Sequence, residues 1–301
     1  MAKKIGDVLD RADEYLKKHE VRKPRLDAEV LLADLINTER IKLYVNFDYP
    51  LTKKQLEAYR SRLKRRAKGV PVSYITGSVD FMSLEFKIRP GVLIPRPETE
   101  ELVENILGFC RDRGWSEPRI ADLGTGCGAI MISLLRYLPE SRAVGTDVEE
   151  EAVELARENI KKHELGERAA ALTGSWAEPL LPEKEGELDI VVSNPPYIAS
   201  GEMEDLPRRV KEEPRRALEA GPDGLKCYRE LIPQGENLLR EDGLLALEIG
   251  REQGEDIISL LEKEDGWHSL EIKQDGTGRD RFVFARLEYL DPEERGKEDG
   301  N

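Results

Sequence analysis

The chain has 301 residues, of which 39% are hydrophobic and 36% are charged, and its formal net charge is −14. This length suits two domains, and no apolar run approaches the ~18 residues needed to cross a bilayer, which favours a cytoplasmic protein over a membrane or secreted one. Cys110, Cys127 and Cys227 are scattered and the three histidines are isolated. This pattern argues against a disulfide framework and against a metal site.

Residues 1–70 are predicted to form a small helical domain. They hold 18 Lys and Arg against 11 Asp and Glu, a balance of +7 that leaves −21 for the remainder. Apolar residues recur at helical spacing, and Thr52 followed by Gln55 is a capping-box pair that opens a helix ending near Gly69. The segment Arg60–Arg66 gives this helix a basic face, which either meets an acidic partner or is an ordinary solvated surface.

The rest of the chain is predicted to hold a linker, an α/β domain and a tail. Residues 71–96 contain short strands, interpreted as a β-hairpin linker. Residues 97–288 alternate strands with helices, which indicates a parallel sheet. The acidic residues 289–301 are expected to be disordered. The predicted strands are 119–124, 142–147, 169–174, 188–193, 243–250 and 281–287, and the predicted helices between them include 129–138, 150–164 and 226–241.

A glycine-rich loop follows the first strand of this domain, at Asp122-Leu-Gly124-Thr-Gly126-Cys-Gly128. Glycines let the backbone turn sharply and approach a ligand, and Asp147 at the end of the next strand can accept both hydroxyls of a ribose. A nucleoside-containing cofactor is therefore expected at this sheet edge. The G-x-G-x-G spacing resembles the S-adenosylmethionine loop of Rossmann-like methyltransferases and differs from the dinucleotide fingerprint G-x-G-x-x-G.

The tetrapeptide Asn194-Pro195-Pro196-Tyr197 follows another predicted strand at the same edge. The prolines give a stiff frame with available carbonyl groups, Asn194 adds a side-chain carbonyl, and Tyr197 adds an aromatic face. An amide nitrogen is a poor nucleophile because its lone pair is delocalised. If Asn194 Oδ1 and the Pro195 carbonyl accept both N–H bonds of a planar NH₂ group, they aim its lone pair at an activated methyl group without a strong base.

Together these motifs resemble the release-factor glutamine methyltransferases of the HemK/PrmC type. N-P-P-Y is shared with adenine and guanine N-methyltransferases, so the discriminating stretch is GVLIPRPETE at 91–100. The resemblance covers 71–287, whereas residues 1–70 match only in their helical character. The further matching segments are Tyr74–Gly77, Glu213–Leu218, Gly224-Leu225, Leu247–Gly250 and Gly278–Phe282.

The resemblance implies a Rossmann-like class I S-adenosylmethionine methyltransferase sheet with a small N-terminal helical bundle joined by a β-hairpin linker. It implies that the substrate is the glutamine of the Gly-Gly-Gln motif in bacterial class I peptide-chain release factors, which the helical domain helps to dock. The products would be N5-methylglutamine and S-adenosylhomocysteine. The implied cofactor-binding residues are Asp122, Gly124, Thr125, Gly126, Cys127, Gly128, Asp147, Trp176 and Asn194; Asn194, Pro195, Pro196 and Tyr197 receive the glutamine, with Asn194, Pro195 and Tyr197 catalytic.

Several points stay open at this level. Arg96 and Glu98 either shape the pocket or brace the domain junction, and Trp176 lies either beside the adenine or in the core. The segment at 213–218 is expected to form a loop over the site. A monomer is the default expectation.

Three other functions compete with this one. A methyltransferase acting on an adenine or guanine amino group in nucleic acid would want a basic substrate face and a target-recognition segment, whereas residues 71–301 are acidic and carry no such insertion. The glycine spacing disfavours a dinucleotide-dependent oxidoreductase. A non-catalytic binding module would not require a cofactor loop and an amide clamp on neighbouring strand ends.

Overall fold

The computed structural model describes residues 3–264 and 266–288, and the predicted tail at 289–301 lies outside them. The helices are α1 (Ile5–Lys18), α2 (Pro24–Leu35), α3 (Arg40–Val45), α4 (Lys53–Ala67), α5 (Val72–Thr76), α6 (Pro97–Arg113), α7 (Ala129–Tyr137), α8 (Glu150–Lys162), α9 (Arg208–Lys211), α10 (Lys226–Leu238) and α11 (Gly254–Leu261). The strands are β1 (Lys3–Lys4), β2 (Pro50–Leu51), β3 (Ser78–Phe81), β4 (Leu84–Lys87), β5 (Arg119–Leu123), β6 (Arg142–Asp147), β7 (Ala169–Thr173), β8 (Leu188–Ser193), β9 (Leu239–Glu248), β10 (Trp267–Gln274) and β11 (Asp280–Leu287).

The described chain divides into two compact units. Unit 1 holds the described residues up to Ser78 together with Ile88–Pro90 and Leu206–Glu213. Unit 2 holds Val79–Lys87, Gly91–Asp205 and the described residues from Pro214 onward. Among the helices described in either unit, none is long and apolar enough to cross a membrane.

Unit 1 is built around the apolar faces of α1, α2 and α4. Its core includes the fully buried Leu9, Leu16 and Leu31, and the buried Tyr59 donates its hydroxyl proton to the Ala28 carbonyl at 2.8 Å. The predicted capping box is confirmed at the start of α4. Thr52 Oγ1 accepts from the Gln55 N–H at 3.2 Å, and Gln55 Oε1 accepts from the Thr52 N–H at 2.9 Å.

The predicted basic face of α4 is largely occupied within unit 1. Arg66 Nε lies 2.7 Å from Asp27 Oδ2, and Arg62 forms an ion pair with Asp34. Arg65 donates to the Tyr74 carbonyl at 3.2 Å. Three of the cations in this stretch therefore stabilise the packing of the unit itself.

Two segments differ from the expected linker organisation. Residues 72–76, expected to begin a region of short strands, form α5, which starts after Pro71 and stops at Gly77 with φ +84°. Proline favours the first position of a helix, and glycine adopts a positive φ without strain. The hairpin of β3 and β4 follows and lies almost wholly in unit 2, and Leu206–Glu213 belongs to unit 1 although its sequence neighbours lie in unit 2.

Unit 2 contains a seven-stranded sheet in the order β10-β11-β9-β8-β5-β6-β7. The strands from β9 to β7 pair in parallel, and β11 pairs antiparallel with both β9 and β10. The six predicted strands and the three predicted helices of this domain are confirmed within a few residues, and with them the α/β expectation. The carboxyl ends of β5, β6 and β8 share one edge, where ligands bind in open α/β sheets.

The sequence analysis missed β10, at the antiparallel border of the sheet. Its sequence WHSLEIKQ is mostly polar, and apart from Trp267 its side chains are at least partly exposed. An edge strand with one solvated face lacks the continuous apolar run of a buried parallel strand. Helices α6 and α11 were also not assigned.

Candidate active site

The glycine loop connects β5 to α7 and adopts left-handed backbone conformations at alternate residues. Gly124, Gly126 and Gly128 have φ of +77°, +57° and +83°. Because side chains other than glycine rarely adopt this conformation, the G-x-G-x-G spacing follows directly from the backbone path. The N–H groups of Gly124 and Thr125 both donate to the Thr146 carbonyl at 2.8 Å, which ties the loop to the end of β6.

Asp122 lies behind this loop and is fully buried. Its Oδ2 accepts from Thr125 Oγ1 at 2.7 Å and from the Met131 N–H at 3.3 Å. Burial raises the pKa of the Asp122 carboxyl to about 7, although both hydrogen bonds oppose the shift. The carboxyl group therefore fixes the loop to the start of α7.

Asp147 lies at the end of β6, with its carboxylate at the cavity. Its Oδ2 accepts from the Gly126 N–H and its Oδ1 from the Glu149 N–H, each at 2.9 Å. Burial raises the pKa of Asp147, and these two backbone hydrogen bonds act in the opposite direction. Since a carboxylate has about four acceptor positions, Asp147 retains capacity for the two hydroxyls of a ribose.

Trp176 packs across the glycine loop. A Cβ atom added to Gly124 would lie 3.5 Å from the indole ring, so glycine leaves the space that the ring faces. The Trp176 carbonyl accepts from Thr146 Oγ1 at 2.6 Å, and its Nε1 donates to Glu230 Oε2 at 3.0 Å. Trp176 both lines the cavity and packs against the core of unit 2, so the two interpretations left open for it hold together.

A cavity of about 550 Å³ lies at this edge of the sheet, within unit 2. Its volume falls in the ~300–1,000 Å³ range of small-molecule sites. Buried Cys127 is among its lining residues, and burial raises the pKa of its thiol to about 12, which makes it an uncharged wall rather than a nucleophile. Of the predicted site residues, Gly124, Thr125, Gly126, Cys127, Asp147, Trp176, Asn194 and Pro196 line this cavity, whereas Asp122, Gly128, Pro195 and Tyr197 do not.

The N-P-P-Y segment begins directly after β8 and is held by hydrogen bonds at both ends. Asn194 Nδ2 donates to Thr99 Oγ1 at 3.0 Å. The Tyr197 carbonyl accepts from Gln253 Nε2 at 3.0 Å, and burial raises the pKa of the Tyr197 hydroxyl. Pro195 is buried between them.

The segment expected to cover the site does line the cavity. The Ile198 N–H donates to the Leu218 carbonyl at 2.9 Å, and the Ala220 N–H donates to the Ile198 carbonyl at 2.8 Å. This pairing places Pro214–Ala217 along the cavity wall, where Arg216 donates to Glu149 Oε1 at 2.7 Å.

Sequence reasoning gave no individual role to Thr99 and Glu248. Thr99 Oγ1 donates to Glu248 Oε2 at 2.6 Å, and Thr99 also accepts the hydrogen bond from Asn194. Burial raises the pKa of Glu248 to about 7, and the charges of Arg96 and Glu98 act on the same carboxyl group in opposite directions. The available signal was a lone carboxylate in the otherwise apolar run GLLALEIG.

Comparisons with known proteins agree with this site. The model of the PrmC N-terminal domain matches residues 7–77, and the model of the methyltransferase small domain matches residues 109–225. A solved structure, a T. thermophilus 16S rRNA N2 G1207 methyltransferase in complex with AdoMet and guanosine, aligns with a TM-score of 0.52 at 21% identity, covering 70% of this chain and 49% of that chain. That likeness supports the methyltransferase fold of unit 2.

Two curated relatives match this chain almost from end to end. The release factor glutamine methyltransferase of Moorella thermoacetica is 42% identical, covering 93% of this chain and 98% of the relative. The protein of the same name from Geobacter sulfurreducens is 38% identical, covering 94% and 96%. The resemblance carried by the motifs is confirmed, and this chain belongs to the release factor glutamine methyltransferase family.

Proposed function

We propose that this chain transfers a methyl group from S-adenosylmethionine to the side-chain amide nitrogen of the glutamine in the Gly-Gly-Gln motif of bacterial class I release factors. The observation that carries the proposal is the position of Asn194. Its side chain reaches the cavity beside the glycine loop, and its Nδ2 is already engaged by Thr99. The carbonyl oxygen Oδ1 is thus the atom that Asn194 has to offer a substrate NH₂ group.

The cavity has the features that S-adenosylmethionine requires. The glycine loop gives backbone close approach at the methionine end, Asp147 accepts the ribose hydroxyls, and Trp176 gives an aromatic wall for the adenine. Asp122 and Gly128 hold the loop from behind. When bound, this cofactor supplies a methyl group on a positively charged sulfur, which leaves as a neutral thioether.

The chain's own residues then have only to orient the acceptor. Asn194 Oδ1 and the Pro195 carbonyl accept the two N–H bonds of the glutamine amide, while Pro196 and Tyr197 flank its plane. A nitrogen–carbon bond forms as the sulfur–carbon bond breaks, and the extra proton on nitrogen passes to water. Alignment of this kind supplies several of the ~7–11 kcal/mol available to well-oriented reactants.

Unit 1 is proposed to dock the release factor through α3. Five of the seven large hydrophobic side chains that are exposed among the described residues lie on α3 or just after it: Ile41, Tyr44, Val45, Phe47 and Tyr49. Ile41 and Val45 are 66% and 79% exposed. A protein substrate needs ~800 Å² of contact per partner, far more than one glutamine provides, and a contiguous apolar patch is typical of such a surface.

The proposal needs one chain, because every residue assigned to the reaction lies in unit 2, and we take the enzyme to work as a monomer. Bacterial release factors act in the cytoplasm, where we place the enzyme. A flipped adenine or guanine also presents a planar NH₂ group, so nucleic acid is the competing substrate to be tested.

The test is incubation of the purified chain with methyl-labelled S-adenosylmethionine and three acceptors: a release factor, total RNA and DNA. A second release factor with the motif glutamine replaced by alanine is the matched control. We expect label on the intact factor only, reduced at least about 100-fold in Asn194→Ala, which loses the clamp. Label on nucleic acid instead would contradict the substrate and leave the cofactor site standing.

A further inference from the structure

Three side chains from distant parts of unit 2 form a hydrogen-bonded chain that ends at the cavity. Asn194 Nδ2 donates to Thr99 Oγ1 at 3.0 Å, and Thr99 Oγ1 donates to Glu248 Oε2 at 2.6 Å. Thr99 is 3% exposed and Glu248 is 1% exposed. They come from the first turn of α6 and the last residue of β9, while Asn194 follows β8.

The chemistry of these groups gives the chain a single direction. An ionised carboxylate only accepts hydrogen bonds, so the Thr99 hydroxyl must give its one proton to Glu248. The hydroxyl oxygen then has only lone pairs to offer Asn194, and it must meet the NH₂ side of the amide. Asn194 is thereby held with Oδ1 away from Thr99.

The opposite orientation would disable the clamp. If the Asn194 amide rotated by 180° about its last bond, it would present NH₂ to the substrate and bring two sets of donors together. The two orientations of an asparagine amide have nearly the same shape, so packing alone discriminates poorly between them. A directional partner is needed.

A buried carboxylate is a costly way to fill this position. Burial of an ionised group disfavours its charged form, and apolar residues of similar volume often stabilise a core at least as well. Tyr228 donates its hydroxyl proton to the Glu248 main-chain carbonyl at 2.9 Å, so that contact does not require a carboxylate side chain. The role that needs the side chain is the hydrogen bond from Thr99.

We propose that Thr99 and Glu248 are positioning residues that lock the Asn194 side chain with Oδ1 facing the acceptor, and so make the site selective for an NH₂ group. The inference rests on the proposed function, since it assigns the orientation of the clamp in that reaction. It extends the active site from the N-P-P-Y segment to α6 and β9.

The test compares Thr99→Val, which keeps the shape and removes the hydroxyl, with Thr99→Ser, which restores it. We expect Thr99→Val to lower kcat for the release factor by about 10- to 100-fold with the Kd for S-adenosylmethionine within about twofold. Thr99→Ser should recover most of this loss. Glu248→Leu removes the acceptor from the other end and should resemble Thr99→Val, whereas Glu248→Gln keeps an acceptor oxygen and should lose less.

A second readout does not depend on the acceptor. The Asn194 side-chain NH₂ signal in an ¹⁵N spectrum is assigned by its absence in Asn194→Ala. We expect slow exchange of one Nδ2 proton with water in the wild type and in Thr99→Ser, and at least about tenfold faster exchange in Thr99→Val, because the hydrogen bond is lost.

The two readouts separate the possible failures. If the wild type leaves the release factor unlabelled but the Nδ2 proton is protected in the expected pattern, the proposed function fails and the lock stands. If the release factor is labelled and Thr99→Val keeps kcat within about threefold of the wild type, the lock is overturned. Unchanged exchange in Thr99→Val would overturn it as well.

Discussion

Glu248 places an ionisable group in the interior of unit 2, and this has a measurable effect on stability. Burial raises its pKa from the ordinary 4.5 to about 7. Between these pH values the folded protein holds a proton that the unfolded chain has released, so the stabilisation present at low pH is lost as the pH rises through 7. For Glu248→Gln, we expect the free energy of unfolding relative to wild type to rise by up to about 1.4 kcal/mol per pH unit in this window.

Urea titrations at several pH values measure this difference. Asp122, whose pKa is also raised to about 7, is present in both proteins, so its effect cancels in the comparison. The charged or titratable groups that act on Glu248 are likewise unchanged: Arg96, Glu98, Tyr197, Tyr228 and Arg281. A difference that is flat with pH would mean that Glu248 titrates at its ordinary pKa.

At the scale of the elements, the turn before α10 controls the position of the N-P-P-Y segment. A Cβ atom on Gly224 would lie 2.6 Å from the Tyr197 carbonyl oxygen, and Gln253 Nε2 donates to both of these carbonyl groups. We expect Gly224→Ala to lower kcat by about 10-fold or more, because the backbone of the clamp must move. Steady-state kinetics beside a thermal melt measures the effect.

Gly278→Ala is the matched control. Gly278 has φ +78°, close to the +73° of Gly224, but a Cβ atom there would meet nothing within 4 Å. It therefore incurs the left-handed strain of ~1–2 kcal/mol without a clash. Equal losses of kcat in the two variants would show that strain alone, not displacement of Tyr197, limits the enzyme.

The sequence predicted the elements that carry local signals and missed those that depend on tertiary contacts. Strands β5, β6 and β8 are apolar runs bounded by turn residues, and the glycine loop records its backbone conformation in its spacing. Thr99 and Glu248 are separated by 149 residues, so no local pattern pairs them. The internal ion pairs of Arg62 and Arg66 were likewise invisible, because a row of cations reads the same whether its partners are solvent, another helix or another protein.

On the scale of the whole molecule, the positive charge of residues 1–70 and the apolar patch on α3 predict different kinds of docking. Since Arg62 and Arg66 are ion-paired within unit 1, we expect apolar contact to dominate. The double variant Ile41→Ser, Val45→Ser should then raise KM for the release factor by about 10-fold or more. A short Gly-Gly-Gln peptide, which is too small to reach α3, should be methylated equally by variant and wild type.

Salt separates this mode of docking from an electrostatic one. Interactions between exposed charges are screened beyond about 10 Å at 0.1 M salt, whereas burial of apolar surface is not weakened by screening. We therefore expect KM for the release factor to change by less than about threefold between about 50 and 300 mM NaCl. A steep rise in KM, with the double variant unaffected, would move the docking surface from α3 to exposed cations such as Arg60 and Lys64.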